Sequence, residues 1–137
     1  MGRGDAVTLR WTGKEDVYEG GRGSGPRVTI DSGASAGPSP TDVLLLSLGA
    51  CMCVDIRMIL GKSRVPLDAL EVRFEAERAE EPPRRFTRIR MIFVMSGPGP
   101  DDDRKVERAI ELSRETYCSV FHSLRDDIVI ETEVRKG

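Results

Sequence analysis

Residues 38–60 read PSPTDVLLLSLGACMCVDIRMIL and hold two of the chain's three cysteines, Cys51 and Cys53. The stretch opens on a helix start signal. Ser39 can cap, Pro40 stands where a missing N–H costs nothing, and Asp42 at the third helical position completes a capping box with Asp in place of Glu. The spacing predicts a helix from there to about Lys62. From Val43 to Val54 it is apolar nearly all round, the pattern of a helix buried on most of its faces. That run is about a dozen residues where a bilayer span needs roughly 20, and Asp55 and Arg57 follow it, so no membrane span is expected.

Outward from this helix the periodicity changes. VTLRW (7–11) and RVTID (27–31) alternate apolar and polar residues at period two, as half-buried strands of an N-terminal antiparallel set, with EGGRGSGP between them expected as a mobile turn. Beyond the helix, LEVRFEAERA (70–79) and RFTRIRMIFVM (85–95), joined by EEPPR, read as two antiparallel strands. Their inward sets are Leu70, Val72, Phe74, Ala76 and Ile89, Met91, Phe93, Met95. Glu71, Arg73, Glu75, Arg88 and Arg90 make the opposite face a solvated, charged one. GPGPDDD (97–103) is a loop whose acids suit a helix start. The helix RKVERAIELSRETYCSV should follow, with Val106, Ala109, Ile110, Ser113 and Tyr117 on one stripe and Cys118 near its end. VFHSLRDD reads as a short helix or turn, and IVIETEV (128–134) as a strand. This order describes an α+β fold, expected as one domain over residues 1–137.

Charge excludes one class of partner. The 21 basic and 23 acidic residues, net −2, are interspersed with no basic block, so nucleic acid is not an expected ligand. MGRGDAVTLRW reads as a frayed start running into a strand and lacks a basic segment followed by an apolar one, so the expected location is cytoplasmic. Three cysteines are too few, and odd in number, for a secreted disulfide framework. In a reducing compartment such thiols are either buried fillers or reactive groups.

On a helix, Cys51 and Cys53 point about 200° apart and cannot face one ion. With His122 the single histidine and no CxxC, no metal or other cofactor is expected. A cysteine protease would need an imidazole base and an oxyanion loop, and nothing around Cys51 supplies them. Two readings of the thiols stay open. All three are small buried hydrophobes, inert because burial raises a thiol's pKa; or two of them are a redox pair, one attacking and the other resolving to a disulfide.

PTDVLLLSLGACMCVD follows the form P-x-[DE]-h-L-L-x-x-L-G-x-C-x-x-x-D and is similar to the central helix of OsmC-like proteins, which include the organic hydroperoxide resistance enzymes. KVERAIELSRETYCSV resembles their second helix, which carries the second redox cysteine. The likeness in order and spacing runs from about residue 7 to 134. It implies antiparallel sheets wrapped around a long buried central helix, in an intertwined homodimer with two active sites at the subunit interface. It places Cys51 at the peroxidatic position and Cys118 at the resolving one, and leaves Cys53 without a counterpart.

The activity so implied is attack of the Cys51 thiolate on the O–O bond of an organic hydroperoxide, disulfide formation with Cys118, and reduction by an external dithiol or a lipoylated protein. The expected pocket is lined by residues such as Leu48, Met52 and Phe121. In the hydroperoxide resistance branch a glutamate ten residues before the first cysteine pairs with an activating arginine. Here that place is Thr41, and the acid is Asp42, at an offset other branches carry. Nine residues of helix span roughly 13 Å, so Asp42 would act on Cys51 through an arginine or a partner subunit. Arg22 in EGGRG falls where the family's arginine does, with Arg10 and Arg27 near it in sequence. The rival reading is a catalytically weak dimer of the same fold that binds a small apolar or thiol-reactive ligand.

Overall fold

The computed structural model describes residues 5–137, so the frayed start expected for the first residues lies outside the described residues. Two compact units divide the chain, residues 1–46 and 47–137.

In the first unit β1 (Val7–Trp11), β2 (Val17–Arg22) and β3 (Val28–Asp31) form an antiparallel sheet in that order. β1 and β3 are the strands the alternation predicts. β2 is a correction: the glycine-rich stretch expected as a mobile turn is strand up to Arg22, so β1 and β3 each pair with β2 and not with each other. Glycine is there because nothing larger fits. A Cβ on Gly20 would stand 2.8 Å from the Thr8 carbonyl oxygen, and one on Gly21 2.3 Å from that of Pro26. After β3 the buried Asp31 carboxylate organises the loop, accepting backbone N–H bonds from Gly33 and Ala36 at 2.8 Å and from Ser35 at 3.2 Å. Those donors hold its pKa below the usual carboxylate range.

α1 (Pro40–Lys62) starts as the capping box predicts. Ser39 Oγ accepts the Asp42 N–H at 3.2 Å, and the Asp42 carboxylate accepts the Ser39 N–H at 3.4 Å. Farther along, Leu48, Met52, Ile56 and Leu60 are sealed in the core. Within the single chain that burial stops short, because Leu46, Val54 and Met58 are 52%, 57% and 57% exposed. With the exposed Ala50 they recur every four residues and form one continuous uncovered stripe. By length and composition alone α1 could cross a bilayer, at 23 residues with a mean hydropathy of 2.1 over an 18-residue window, which the count of a dozen apolar residues did not anticipate. Its sealed stripe is that of a core helix.

The second unit contains β4 (Ala69–Arg78), β5 (Phe86–Ser96) and β6 (Val129–Lys136), in the sheet order β4-β5-β6. The inward sets face each other, Leu70 opposite Met95, Val72 opposite Phe93, Phe74 opposite Met91 and Ala76 opposite Ile89, but Ala76, expected inward, is exposed where β4 runs past its cover. β6 lies parallel to β5, so this sheet is mixed and not antiparallel throughout. The central strand is covered on both faces, which is why Ile92 is buried along with Ile89, Met91, Phe93 and Met95. The charged face holds Arg90 between Glu75 and Glu133, and Arg88 between Glu77 and Glu131. α1 approaches β4 closely at Gly49, where a Cβ would stand 2.6 Å from the Phe74 ring.

Between β5 and β6 the chain makes a 3₁₀ turn (Pro100–Asp102), α2 (Asp103–Leu112), a π turn (Ser113–Tyr117) and α3 (Ser119–Ser123). The single helix expected over residues 104–120 is thus interrupted. In a regular α-helix residue 117 would stack over residue 113, as the predicted stripe assumes. Here the Cys118 N–H donates to the Ser113 carbonyl at 2.8 Å, a step one residue wider. Cys118 therefore takes the place assigned to Tyr117, and Tyr117 turns outward to 59% exposure.

Candidate functional site

At about 100° per residue, Cys51 and Asp55 fall together on one border of α1, between its sealed stripe and its uncovered one. Cys53 falls on the opposite border. Cys51 and Cys53 are half-buried and Cys118 is fully buried, all three as free thiols. The π turn delivers Cys118 to the Cys51 border, where the two thiols are neighbours, Cys51 standing close enough to raise the pKa of Cys118. The fold thus brings together two cysteines far apart in sequence.

Their environments differ. Burial pushes the Cys118 thiol up to about 11, and the neighbouring Cys51 adds to the effect. The Phe121 N–H, donated to Cys118 Sγ at 3.3 Å as Cys118 caps α3, works against it. Cys118 is consequently a neutral thiol near pH 7. Burial also raises the pKa of Cys53. Of the pair, Cys51 is the thiol with access to solvent.

Beside the thiols lies a polar contact that the sequence analysis did not single out. Ser113, fully buried, donates its hydroxyl to Asp55 Oδ2 at 2.8 Å. The signal was present in the spacing C-x-x-x-D, which sets Asp55 one turn beyond Cys51 on the same face. A cavity of about 340 Å³ opens next to it, lined by Asp55, Met58, Ile59, Leu112 and Tyr117, with Lys62 and Ser63 also on its wall. Of the residues expected to line a pocket, Leu48 and Met52 are sealed in the core and do not line this cavity. Phe121 stands next to the Cys118 cap, with the Arg114 guanidinium 5.6 Å above its ring.

Arg22 and Asp42 belong to the first unit, and their bonds there are local. Arg22 ends β2, exposed, with Nη1 donating to the Asp5 carbonyl at 3.0 Å. Arg27 donates to the carbonyls of Gly25 and Gly23, and Arg10 pairs with Glu19 at 3.6 Å. Asp42 is exposed and serves the helix cap. His122 is exposed and meets Phe121 edge-on at 5.4 Å. Among the described residues no group of three or more His, Cys, Asp or Glu side chains could hold a metal ion.

Comparison with known proteins gives these features a context. The family described as OsmC-like protein matches residues 32–133. Protein YhfA of Escherichia coli (strain K12) is 40% identical over 106 residues, which cover 76% of this chain and 78% of YhfA. The crystal structure of a hypothetical protein from Aquifex aeolicus VF5 superposes with a TM-score of 0.83 at 24% identity, over 97% of this chain and 96% of that one. The organic hydroperoxide resistance protein OhrB of Bacillus subtilis shares the fold with a TM-score of 0.62 at 14% identity, over 95% and 98% of the two chains.

Proposed function

Since the chain belongs to the OsmC-like family, we propose that it is a cysteine-based peroxidase that reduces organic hydroperoxides through Cys51 and Cys118. One observation carries the proposal: two cysteines distant in sequence are brought together as neighbours, one half-buried and the other sealed from solvent. A core filler needs no such partner.

The reaction proceeds in balanced steps. The Cys51 thiolate attacks the terminal oxygen of the hydroperoxide, the O–O bond breaks, and the alkoxide leaves as an alcohol after taking up a proton. Cys51 is left as a sulfenic acid. Cys118 then attacks that sulfur, forming the disulfide and releasing water. Because Cys118 stays protonated at neutral pH, it cannot compete for the peroxide in the first step. An external dithiol or a lipoylated protein reduces the disulfide and closes the cycle. The 340 Å³ cavity beside Asp55 offers Met58, Ile59 and Leu112 to an apolar tail, which favours an organic hydroperoxide over hydrogen peroxide.

The working form is a homodimer of single-domain chains, located in the cytoplasm. The uncovered α1 stripe supports this, as does β1, whose Val7, Leu9 and Trp11 are more than half exposed. A second copy covers both. The remaining residues assigned to the chemistry are Arg22, as the cation that activates the Cys51 thiol, and Asp42, in the place of the missing glutamate.

The test is intact-mass and peptide mapping of reduced protein after one equivalent of cumene hydroperoxide. A Cys51–Cys118 disulfide is expected, with Cys51→Ser inactive and Cys118→Ser consuming one equivalent before overoxidising. Equal full activity in both variants would defeat the proposal. Thr41 in the glutamate's place favours a second reading, a weakly catalytic dimer that binds a small apolar or thiol-reactive ligand. It requires both thiols to stay reduced in the same experiment.

A further inference from the structure

We infer that Asp55 and Ser113 are positioning residues for disulfide formation, their hydrogen bond setting the reach between the Cys51 and Cys118 sulfurs. The inference rests on the thiol cycle proposed above.

Two rungs join the same two segments. Cys51 and Asp55 are four residues apart on one border of α1, about 6 Å along the axis. Ser113 and Cys118 are stacked by the wide turn, through the Cys118 N–H bond to the Ser113 carbonyl at 2.8 Å. Cys51 meets Cys118, and Asp55 meets Ser113 at 2.8 Å. The second rung is built for permanence. Ser113 is completely shielded from water, and a buried hydroxyl deprived of its acceptor has no solvent to turn to.

Disulfide geometry explains why such a rung matters. The Cβ atoms must approach to roughly 3.5–4.5 Å, and the torsion about the S–S bond is narrowly restricted. Apolar packing alone lets one segment slide on another, because it has no direction. A hydroxyl bonded to a carboxylate has direction and a short length. The π turn lacks a regular α-helical ladder to hold Cys118 in register, and the Asp55 bond pins its first residue. When Cys51 is a sulfenic acid, the Cys118 sulfur is then already placed for attack: the S–S bond forms, the S–O bond breaks, and water carries away the hydroxyl group and the thiol proton.

The experiment equilibrates the protein in glutathione redox buffers, in a Cys53→Ser background, and counts the disulfide by mass. Protein dithiol and glutathione disulfide exchange for protein disulfide and two glutathione thiols, so the equilibrium reports the effective concentration of Cys51 against Cys118. Asp55→Ala and Ser113→Ala are each expected to lower it about tenfold. The double variant should be no worse than either single one, and Asp55→Asn, which keeps an oxygen acceptor, should stay within about threefold of the parent. With cumene hydroperoxide, the sulfenic acid trapped by dimedone should persist about tenfold longer in Ser113→Ala. Parental values in both alanine variants overturn the inference, and so does an asparagine variant as impaired as alanine. If Asp55→Ala fails to fold by circular dichroism, Ser113→Ala, which removes a single oxygen, carries the comparison. A parent protein that forms no disulfide in any buffer refutes the thiol cycle itself, a failure distinguishable from loss in the variants alone.

Discussion

Cys118 should be among the least reactive thiols a protein can carry, by a margin the structure sets. Its pKa is displaced from an ordinary 9.0 to about 11, chiefly by burial. At pH 8 the thiolate fraction then falls from about one in ten to about one in a thousand, a loss of roughly 100-fold before access is counted. The assay is alkylation by iodoacetamide across pH 7–10 in a Cys51→Ser/Cys53→Ser variant, followed by mass spectrometry. Removing Cys51 takes away only a lesser contribution, because burial is the first cause. Modification at least 100-fold slower than that of a free thiol is expected at pH 8. Stability should respond as well. The folded state holds this proton more tightly than the unfolded chain does, so the contribution is complete below about pH 9 and is lost as pH rises through about 11. Two pKa units amount to about 2 to 3 kcal/mol over that window. Rapid alkylation at pH 8 in protein that remains folded would refute both the burial argument and the assignment of Cys118 as the resolving thiol.

Other parts of the molecule give further expectations. Val54→Asp and Met58→Asp place a charge in the uncovered stripe of α1. Each half-exposed side chain there gains about 1 kcal/mol on full burial, counted twice in a symmetric pair, so light scattering should find a monomer where the parent is a dimer. A monomeric parent removes that explanation of the stripe. Gly49→Ala gains about 1 kcal/mol of helix propensity but overpacks Phe74, at about 1 to 3 kcal/mol, so a net destabilisation of about 1 kcal/mol is expected in urea melts. A more stable variant would show that the ring gives way freely. Arg22→Ala should slow alkylation of Cys51 at pH 7 about tenfold if the arginine of the N-terminal sheet is the activating cation. An unchanged rate would move that role to another group.

What could be read from the sequence was set by local chemistry. Ser39, Pro40 and Asp42 announced the start of α1, and the cap bonds form as their residue types predict. Alternation in β4 and β5 was clear enough to give both strands and, apart from Ala76, their inward residues. β2 was missed because Gly20 and Gly21 carry no strand signal of their own; close approach of Thr8 and Pro26 requires them, and that contact is invisible in one dimension. Which side of α1 the chain itself covers was illegible for a related reason, since apolarity records what a helix can bury and not what lies against it. Cys51 and Cys118 were legible as candidates through the resemblance of their two helices. Their contact depends on a change of helical step at Ser113 that periodicity cannot express, and the Asp55–Ser113 bond stayed hidden behind it.

The wide turn before Cys118 also makes the length of this segment unusually forgiving in one direction. A π turn is an α-helix carrying one surplus residue, and Glu115 and Thr116, both on its exposed side, are the surplus candidates. Removing either would leave Cys118 four positions after Ser113, where an ordinary helix stacks it over the same spot. The thiol would keep its place while the backbone became regular. Adding a residue there has no such outlet, since it would rotate Cys118 about 100° away from Cys51. A chain built this way tolerates shortening at the one point where its chemistry would be expected to forbid it.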